Sequence, residues 1–254
     1  KRAGVLFSGG VDATTTAYRH MDETPDIITV LGSDIKLSDK EGIENINKFN
    51  KNFSDNHGLE YERIYSTFRT FIDECALQNG EKLRTNKYGW WHEFQHGIGL
   101  IGLVAPLSYV RGYKIVYIAS SFNEKMRGKY TCASDPFIDN ELRYGLTETF
   151  HDGYELNRQD KVKFICDYIK KHNSKPYIHV CWESSGGKNC CYCEKCRRTY
   201  LAFLTEKNNP GDVGLDFNEK QIKSMCRSHE KRLKYRYYVN QIGEYMDIQK
   251  RFLY

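Results

Sequence analysis

Apolar residues in this chain recur in two patterns that alternate along most of its length: short continuous runs and stripes at helical spacing. Short apolar runs bounded by turn residues are typical of buried strands, whereas stripes with a period of 3.6 indicate helices packed on one face. The strand-like runs are residues 3–7, 26–31, 59–64, 114–119 and 177–182. This alternation predicts an α/β fold with an open, mostly parallel sheet and helices on both faces.

One helix is predicted in some detail. Ser38-Asp39-Lys40-Glu41 has the form of a capping box, and it is followed by apolar residues at helical spacing. The pattern stops near Gly58, a residue type that commonly ends helices. The apolar stripe consists of Ile43, Ile46, Phe49 and Phe53.

Three regions are expected along the chain. Residues 1–176 form the core, residues 177–209 add a strand and a cysteine-rich knuckle packed on it, and residues 210–254 form a helical, basic C-terminal extension. Basic residues interleaved with aromatic ones in the extension are one way to bind RNA. A helix that is solvated on one face and packed on the other is the simpler interpretation, so we expect no nucleic-acid partner.

Composition narrows the class of protein. The chain has 254 residues and a formal charge of +5, and no apolar run approaches the ~20 residues that span a bilayer. It also lacks the pattern of a secretory leader, so we expect a cytoplasmic protein with no membrane contact. Four thiolates and the Zn²⁺ ion that they bind would together change the formal charge from +5 to about +3. A positive charge of this size is compatible with an anionic substrate.

The most informative segment is Val5-Leu6-Phe7-Ser8-Gly9-Gly10-Val11-Asp12-Ala13-Thr14. An apolar run ends here in a serine, two glycines and an aspartate, and hydroxyl residues follow. Glycines let the backbone approach an anion closely, and the N–H groups of a helix start favour negative charge. The segment therefore predicts a phosphate site, although its spacing is neither that of a Walker A loop nor that of a dinucleotide fingerprint.

A second signal is the pattern C-x8-C-x2-C-x2-C formed by Cys181, Cys190, Cys193 and Cys196. Four thiolates at such spacing are typical of a tetrahedral structural zinc site, which has no open coordination position. Two alternatives are disulfides and an iron–sulfur cluster. Cys191 is an extra thiol that is able to replace Cys190 as a ligand.

The loop Ser8-Gly9-Gly10-Val11-Asp12 resembles that of the PP-loop (N-type) ATP pyrophosphatases, with Ala13 in place of the usual serine. Together with the cysteine pattern, it resembles the 7-cyano-7-deazaguanine synthase group of that superfamily. Residues 32–35, 133–139 and 189–199 are closer to the branch that contains the ATP-dependent UDP-N-acetylmuramoyl-L-alanyl-L-glutamate epimerase. The resemblance implies a fold like that of the adenine nucleotide alpha hydrolases.

The resemblance also implies an activity. Mg-ATP would be cleaved to AMP and pyrophosphate while a small-molecule carboxylate is activated as an acyl adenylate, as in ligases that form amides or nitriles. One alternative is ATP-dependent epimerisation of a carboxylate that resembles a muramoyl dipeptide. Further alternatives are a tRNA thiolase and a nucleotide-binding module without catalytic activity. The implied cofactors are ATP, Mg²⁺ and a structural Zn²⁺.

Site residues follow from matching these motifs. Ser8 and Asp12 are the expected catalytic residues, and Asp139 is a further candidate for contact with substrate or magnesium. The expected ATP-binding residues are Phe7, Ser8, Gly9, Gly10, Val11, Asp12, Ala13, Thr14, Gly32, Ser33 and Asp34. The expected substrate-binding residues are His96, Ser120, Ser121, Ser134 and Asp135, and the expected metal ligands are Cys181, Cys190, Cys193 and Cys196.

One motif is rejected. His92-Glu93-Phe94-Gln95-His96 spells H-E-x-x-H, the pattern of zinc proteases. A protease site would have to coexist with a complete phosphate loop, so we expect instead a helix that presents His96 to the site.

Overall fold

The fold is described by a computed structural model covering residues 2–79, 89–129, 132–183 and 186–225. Most of the predicted basic extension, residues 226–254, lies outside the described residues. Its beginning is a 3-10 turn at Pro210–Val213 and a helical stretch over residues 219–225.

Within the described ranges, six strands form one sheet in the order β3-β2-β1-β4-β6-β5. All neighbours pair in parallel except β5 and β6, which are antiparallel. The strands are β1 (Ala3–Leu6), β2 (Asp26–Leu31), β3 (Tyr61–Tyr65), β4 (Ile115–Ala119), β5 (Arg143–Tyr144) and β6 (Thr147–Asp152). The helices are α1 (Val11–Arg19), α2 (Lys40–Asn56), α3 (Glu74–Asn79), α4 (His96–Arg111), α5 (Pro136–Asp139), α6 (Arg158–His172) and α7 (Glu194–Thr205).

The two faces of the sheet bury separate apolar clusters because successive strand residues point to opposite sides. Val5 and Ile27 face a cluster that also contains residues of α1, α2 and α6. Leu6 and Ile28 face the other cluster, which is covered by α4. The predicted parallel α/β sheet with helices on both faces is therefore confirmed.

Helix α2 begins one residue later than a cap at Ser38 would require. Asp39 is the N-cap, and its Oδ1 accepts a hydrogen bond from the Gly42 N–H at 2.8 Å. Ile46 and Phe53 are buried as predicted, and the helix ends just before Gly58, whose φ is +66°.

The prediction of a strand at 177–182 is wrong. Ile178 and Val180 are buried, which explains the apolar run, but this segment forms no ladder with a strand. Its main-chain N–H groups donate instead to the oxygen of Val213, to the oxygen of Gly9 and to the Asn189 side chain. The segment is an irregular strap that passes the loop after the carboxyl end of β1, where His179 contacts Gly9.

The sequence pattern missed β6, which pairs with β4. Its buried residues Thr147, Thr149 and His151 are polar, while Glu148 and Phe150 are exposed, so no apolar run marks it.

The cysteine-rich region packs onto the same core. Phe203, Val213 and Leu215 belong to the apolar cluster that contains Val5 and Ile165. Across the described ranges, no helix combines the length and the apolar character required to cross a membrane.

The order of strands reverses at β1, which has β2 on one side and β4 on the other. In open α/β sheets, ligands bind beyond the carboxyl ends of the strands at such a switch point. The loops that follow β1, β2 and β4 are therefore the positions to inspect.

Candidate functional site

The loop between β1 and α1 is held in close contact with its surroundings. Gly9 has a φ of +77°, and a Cβ there would lie 3.0 Å from Asn50 Oδ1. The His179 N–H donates a hydrogen bond to the Gly9 oxygen at 2.8 Å, which fixes the loop from the strap side. The first N–H groups of α1 lack helical acceptors, as at every helix start, and they carry the positive end of the helix dipole.

Most side chains of this loop point away from solvent. Phe7, Val11 and Ala13 are part of the core, so only their main-chain atoms are available to a ligand. Thr14 is also fully buried, and its Oγ1 has no hydrogen-bond partner among the described residues. Ser8 is exposed, so the loop offers a ligand that hydroxyl together with main-chain N–H groups.

Asp12 is held by two cations from α6. Arg158 Nη1 donates to Asp12 Oδ2 at 3.1 Å, and Lys161 Nζ donates to Asp12 Oδ1 at 3.0 Å. Burial alone would raise the pKa of Asp12, but the charges of Arg158 and Lys161 outweigh it and lower the pKa to about 2. Lys161 is itself buried and also donates to the Ser120 oxygen, so it joins the ends of β1 and β4.

Sequence reasoning missed Arg158 and Lys161. A signal was present, because Lys161 lies on the buried stripe of α6 together with Val162 and Ile165. A lysine on a core-facing stripe is rarely buried unless an anion partners it.

The second turn follows β2. Gly32 has a φ of +98°, and a Cβ there would lie 1.9 Å from the Ser66 oxygen, so only glycine fits. Ser33 is committed to the fold, since its Oγ donates to the Val30 oxygen and its own carbonyl accepts from Arg69 Nη1. Asp34 is exposed at the tip of the turn.

The third turn follows β4. The Ser120 N–H donates to the Asp152 oxygen at 2.8 Å, and the Ser120 Oγ donates to the Phe122 oxygen at 2.5 Å. Ser120 therefore shapes the turn, while Ser121 is exposed beside it.

A buried polar cluster lies behind the start of α4. Ser134 Oγ donates to Asp139 Oδ2 at 2.8 Å, and His151 Nδ1 lies 2.7 Å from the same oxygen. Gly97 packs against this cluster, because a Cβ there would lie 2.5 Å from Asp139 Oδ1. Asp135 serves as the N-cap of α5, with Oδ1 accepting from the Phe137 N–H. Ser134 and Asp135 thus both have structural partners.

His96 opens α4, and its ring packs edge-on against Trp91 at a centroid distance of 5.1 Å. Its Nδ1 is buried without a hydrogen-bond partner in the described part of the chain. Burial lowers the pKa of His96, although the negative charges of Asp34 and Asp139 oppose the shift.

The H-E-x-x-H motif does not form a helical metal site. Residues 91–95 form a π-helical turn, and the rings of His92 and His96 lie 6.4 Å apart. Among the residues described, the cysteines form the one group of three or more side chains placed to hold a metal ion.

Charges of several elements meet at the switch point. Asp34 acts electrostatically on His96, on His179 of the strap and on Lys195 of α7, and Lys195 in turn acts on Asp12. Burial lowers the pKa of His179 to about 4, so this ring is neutral near pH 7. The turns after β1 and β2 thus lie within electrostatic range of one another and of the cysteine-rich region.

The predicted metal ligands come together. The sulfur atoms of Cys181, Cys190, Cys193 and Cys196 all lie within 4.8 Å of one another, and two of the separations are 3.9 Å. Sulfurs around a tetrahedral zinc ion with Zn–S bonds of about 2.3 Å would be roughly 3.8 Å apart. The group could therefore hold a metal ion such as zinc.

Two further contacts favour thiolates at this site. The Cys193 N–H points at Cys190 Sγ at 3.3 Å, and the Cys196 N–H points at Cys193 Sγ at 3.4 Å. The side-chain hydrogen bond with the Cys196 thiol is the largest of the effects that lower the pKa of Cys193 to about 5, and the Cys196 N–H adds to it. The same hydrogen bond raises the pKa of Cys196, and burial raises the pKa of Cys190 to about 11, so among these three thiols the thiolate is favoured at Cys193. Cys191 lies aside, with its thiol directed to the Asn189 oxygen.

The geometry also weighs against the two alternatives. Sulfurs 3.9 Å apart are not bonded, since a disulfide requires about 2.05 Å. The space between four sulfurs that are all mutual neighbours suits a single ion better than several iron atoms.

No protein-family model matches this chain, and no curated protein is significantly similar to it in sequence.

Proposed function

We propose that this protein is an adenylate-forming enzyme that cleaves Mg-ATP to AMP and pyrophosphate in order to activate a substrate carboxylate. The observation that carries the proposal is the environment of the loop at Ser8-Gly9-Gly10. The N–H groups at the start of α1, the dipole of that helix and the nearby cations Arg158 and Lys161 all favour a polyanion at one place.

The proposed reaction is a displacement at the α-phosphorus of ATP. A carboxylate oxygen of the substrate attacks that phosphorus, and the bond to the oxygen that bridges to the β-phosphate breaks. The electron pair leaves with pyrophosphate, so an acyl adenylate is formed without any change in oxidation state. AMP is released when a nucleophile or water later attacks the acyl carbon.

The residues of the site would have different roles in this reaction. Ser8 and the main-chain N–H groups would bind the leaving pyrophosphate, whose developing charge they stabilise. Asp12 is already occupied by Arg158 and Lys161, so it would position these cations rather than bind magnesium. Asp34, an exposed carboxylate in the second turn, offers the hard oxygen ligands that Mg²⁺ prefers.

The four-cysteine group fits a structural zinc ion in this scheme. Four protein ligands leave no coordination position for water or substrate, so the ion would supply stability and no catalytic group. Its contribution to the site would come through the strap, which the Gly9–His179 hydrogen bond connects to the loop.

The test is trapping of the acyl adenylate. The protein is incubated with Mg-ATP, hydroxylamine and a panel of carboxylates that includes UDP-muramoyl dipeptides and 7-carboxy-7-deazaguanine, and hydroxamate, AMP and pyrophosphate are measured. Equal amounts of the three products with one carboxylate would support the proposal. Formation of ADP, or no nucleotide turnover with any carboxylate, would refute it.

Matched variants make the test specific. Ser8→Ala and Asp34→Asn should each lower the rate of AMP formation, because they remove a phosphate donor and a magnesium ligand. Asp55→Asn is the control, since Asp55 is an exposed carboxylate on α2 that pairs with the exposed Lys51. Equal rates for Asp34→Asn and Asp55→Asn would exclude the role given to Asp34.

A further inference from the structure

Helix α4 has an apolar surface on the side that faces away from the sheet. Residues 97–110 of this helix contain no charged side chain. One side covers the sheet, where Ile101 and Val104 are buried. On the opposite side Ile98, Tyr109 and Val110 are exposed to 49%, 90% and 77%. Helices that are apolar all round are buried on every side in folded proteins, so the exposed side of α4 is expected to meet a partner.

Gly102 lies on this exposed side, and its small size is not explained by packing among the described residues. The other two glycines of α4 are explained: a Cβ at Gly97 would lie 2.6 Å from the Ala133 oxygen, and one at Gly99 would lie 3.1 Å from the Phe68 ring. A Cβ at Gly102 would have no described atom within 4 Å. Glycine inside a helix is destabilising relative to alanine, so Gly102 indicates a close approach from outside the chain.

Pro106 follows Gly102 by one helical turn and is also exposed. Proline has no N–H group, so it donates no helical hydrogen bond to the Gly102 carbonyl, and it weakens the helix further. The two residues form the centre of an exposed row with Ile98 and Val110 at its ends. Two packed helices that cross are closest at the crossing point and diverge away from it. A row with glycine at its centre and larger side chains at its ends fits that shape.

We propose that the exposed side of α4 binds the same surface of a second copy of this chain, with the two helices antiparallel and crossing between Gly102 and Pro106. In this arrangement Ile98 of one copy meets Val110 of the other, and Gly102 meets Pro106. A twofold interface requires one patch that complements itself, and the row meets this requirement. The antiparallel orientation places opposite ends of the helix dipoles together and keeps the two Arg111 side chains apart.

Charge favours a second copy over a charged partner. An uncharged face gives an acidic or a basic partner no electrostatic attraction. Two copies of a chain with a net charge of +5 repel each other least when they meet through uncharged faces. The surface of α4 is therefore suited to contact between copies.

Position argues against cover by the end of the same chain. Residues 226–254 lie outside the described residues, but α7 and the turn at Pro210–Val213 precede them along the chain. Phe203 of α7 and Val213 belong to the apolar cluster on one face of the sheet, whereas Ile101 and Val104 of α4 belong to the cluster on the other. The segment that leads to residue 226 thus packs on the face opposite α4.

The size of the surface sets the expected affinity. Burying the exposed parts of Ile98, Tyr109 and Val110 on both copies, with Gly102 and Pro106 between them, would cover roughly 1,000 Å² in total, the lower end for specific interfaces. We therefore expect a monomer–dimer equilibrium with a dissociation constant roughly in the micromolar range.

The experiment is analytical ultracentrifugation of the full chain from low to high micromolar concentration, with thermal unfolding in parallel. Wild type is compared with Gly102→Gln and Val110→Gln. Leu204→Gln is the control, because it changes a partly exposed apolar side chain of α7, which packs on the other face of the sheet. Gly102→Gln is the sharpest variant, since its side chain has space within one copy and blocks the approach of a second.

We expect Gly102→Gln to keep or raise the Tm and to weaken dimerisation roughly 10-fold or more, as for overpacking of a close contact. Val110→Gln should also weaken dimerisation, while Leu204→Gln should dimerise like wild type. Wild type that stays monomeric at every concentration, or Gly102→Gln that dimerises like wild type, would overturn the proposal. If Gly102→Gln fails to fold, Val110→Gln decides by the same outcomes.

Cross-linking tests the occupant and the orientation. A photoreactive amino acid in place of Ile98 should join two chains through the peptide that contains Val110. A cross-link to residues 226–254 of the same chain would overturn the proposal. So would binding of wild type to phosphatidylcholine–phosphatidylserine vesicles that is lost in Val110→Gln, since it would assign this surface to a membrane.

Discussion

The main-chain N–H of His179 donates a hydrogen bond to the carbonyl oxygen of Gly9 at 2.8 Å. Gly9 belongs to the loop after β1, whereas His179 lies two residues before the first ligand of the cysteine cluster. The two strongest signals in the sequence lie far apart along the chain, and this hydrogen bond joins the loop to the strap that leads into the cysteine cluster.

The first prediction concerns the metal. Purified protein should contain one zinc ion per chain, and Cys193→Ser should lose it with a fall in stability of roughly 3 kcal/mol or more, or about 6–12 °C in Tm. Atomic absorption and thermal unfolding measure the two effects. Cys191→Ser is the matched control and should keep the ion, since its sulfur lies outside the cluster. Loss of zinc from both variants would contradict the assignment of ligands.

The second prediction concerns the ion pairs of Asp12. Asp12→Asn should destabilise the protein by about 3 kcal/mol, because Lys161 would be left buried without an anion. Adding Lys161→Met should recover part of this loss, which urea unfolding of the double-mutant cycle would measure. The corresponding change at the exposed pair of Lys51 and Asp55, Asp55→Asn, should lower the free energy of unfolding by no more than about 0.5 kcal/mol. If the losses of stability in Asp12→Asn and Lys161→Met simply added in the double variant, an interaction between Asp12 and Lys161 would be contradicted.

The pKa of Asp12 gives that prediction a pH dependence. Its folded pKa is about 2, below the ordinary value of 3.8. The stability contributed by the ionised group is fully present above pH 3.8 and is lost as the pH falls toward 2. The difference between wild type and Asp12→Asn should therefore be constant near neutral pH and shrink in acid.

The third prediction concerns His20. Its Nε2 lies 3.2 Å from Asp152 Oδ1, and its Nδ1 lies 2.8 Å from Glu23 Oε1. Burial opposes its protonation, but the hydrogen bonds that the protonated ring donates to these carboxylates outweigh burial and raise the pKa of His20. Its contribution to stability should be complete below pH 6.5 and be lost as the pH rises through the raised pKa. Unfolding of wild type and His20→Gln between pH 5 and 8 measures it.

His57 provides a control of opposite sign. Burial lowers the pKa of His57, so its neutral form is favoured in the folded state. Relative to His57→Gln, wild type should gain stability as the pH rises toward 6.5. The same slope for both histidines would indicate a global charge effect and contradict the assignment to local contacts.

The fourth prediction compares glycines with positive φ. Gly32→Ala should destabilise by about 3 kcal/mol or more, because its Cβ would meet the Ser66 oxygen at 1.9 Å. Gly58→Ala should cost only about 1 kcal/mol, since nothing lies within 4 Å of its Cβ and backbone conformation alone opposes it. Urea unfolding of both variants tests the difference. Equal losses would mean that the clash at Gly32 is relieved by a movement of the turn.

The parts of the molecule that sequence predicted are the local ones. The loop at Ser8–Asp12, the strands β1 to β4 and the spacing of the cysteines are each encoded in one short stretch of consecutive residues. Their positions follow from turn chemistry and apolar runs, so they could be found without the fold.

The parts that sequence missed depend on distant contacts. Lys161 pairs with Asp12 across 149 positions, and no local pattern joins them. Strand β6 was missed because polar residues such as His151 are buried in it with polar partners. The apolar run at 177–182 cannot distinguish a strand from a strap, because Ile178 and Val180 are buried in a segment that pairs with no strand.

The hydrogen bonds around Asp12 and Gly9 also determine when the site is completed. The loop residues 8–12 precede both Lys161 and His179 by more than 140 positions. During synthesis the loop leaves the ribosome long before the groups that hold it, since chains are made from the N-terminus. The proposed nucleotide site is therefore complete only after these later residues have been made, and a product truncated before α6 would carry the glycine loop without Lys161 and His179.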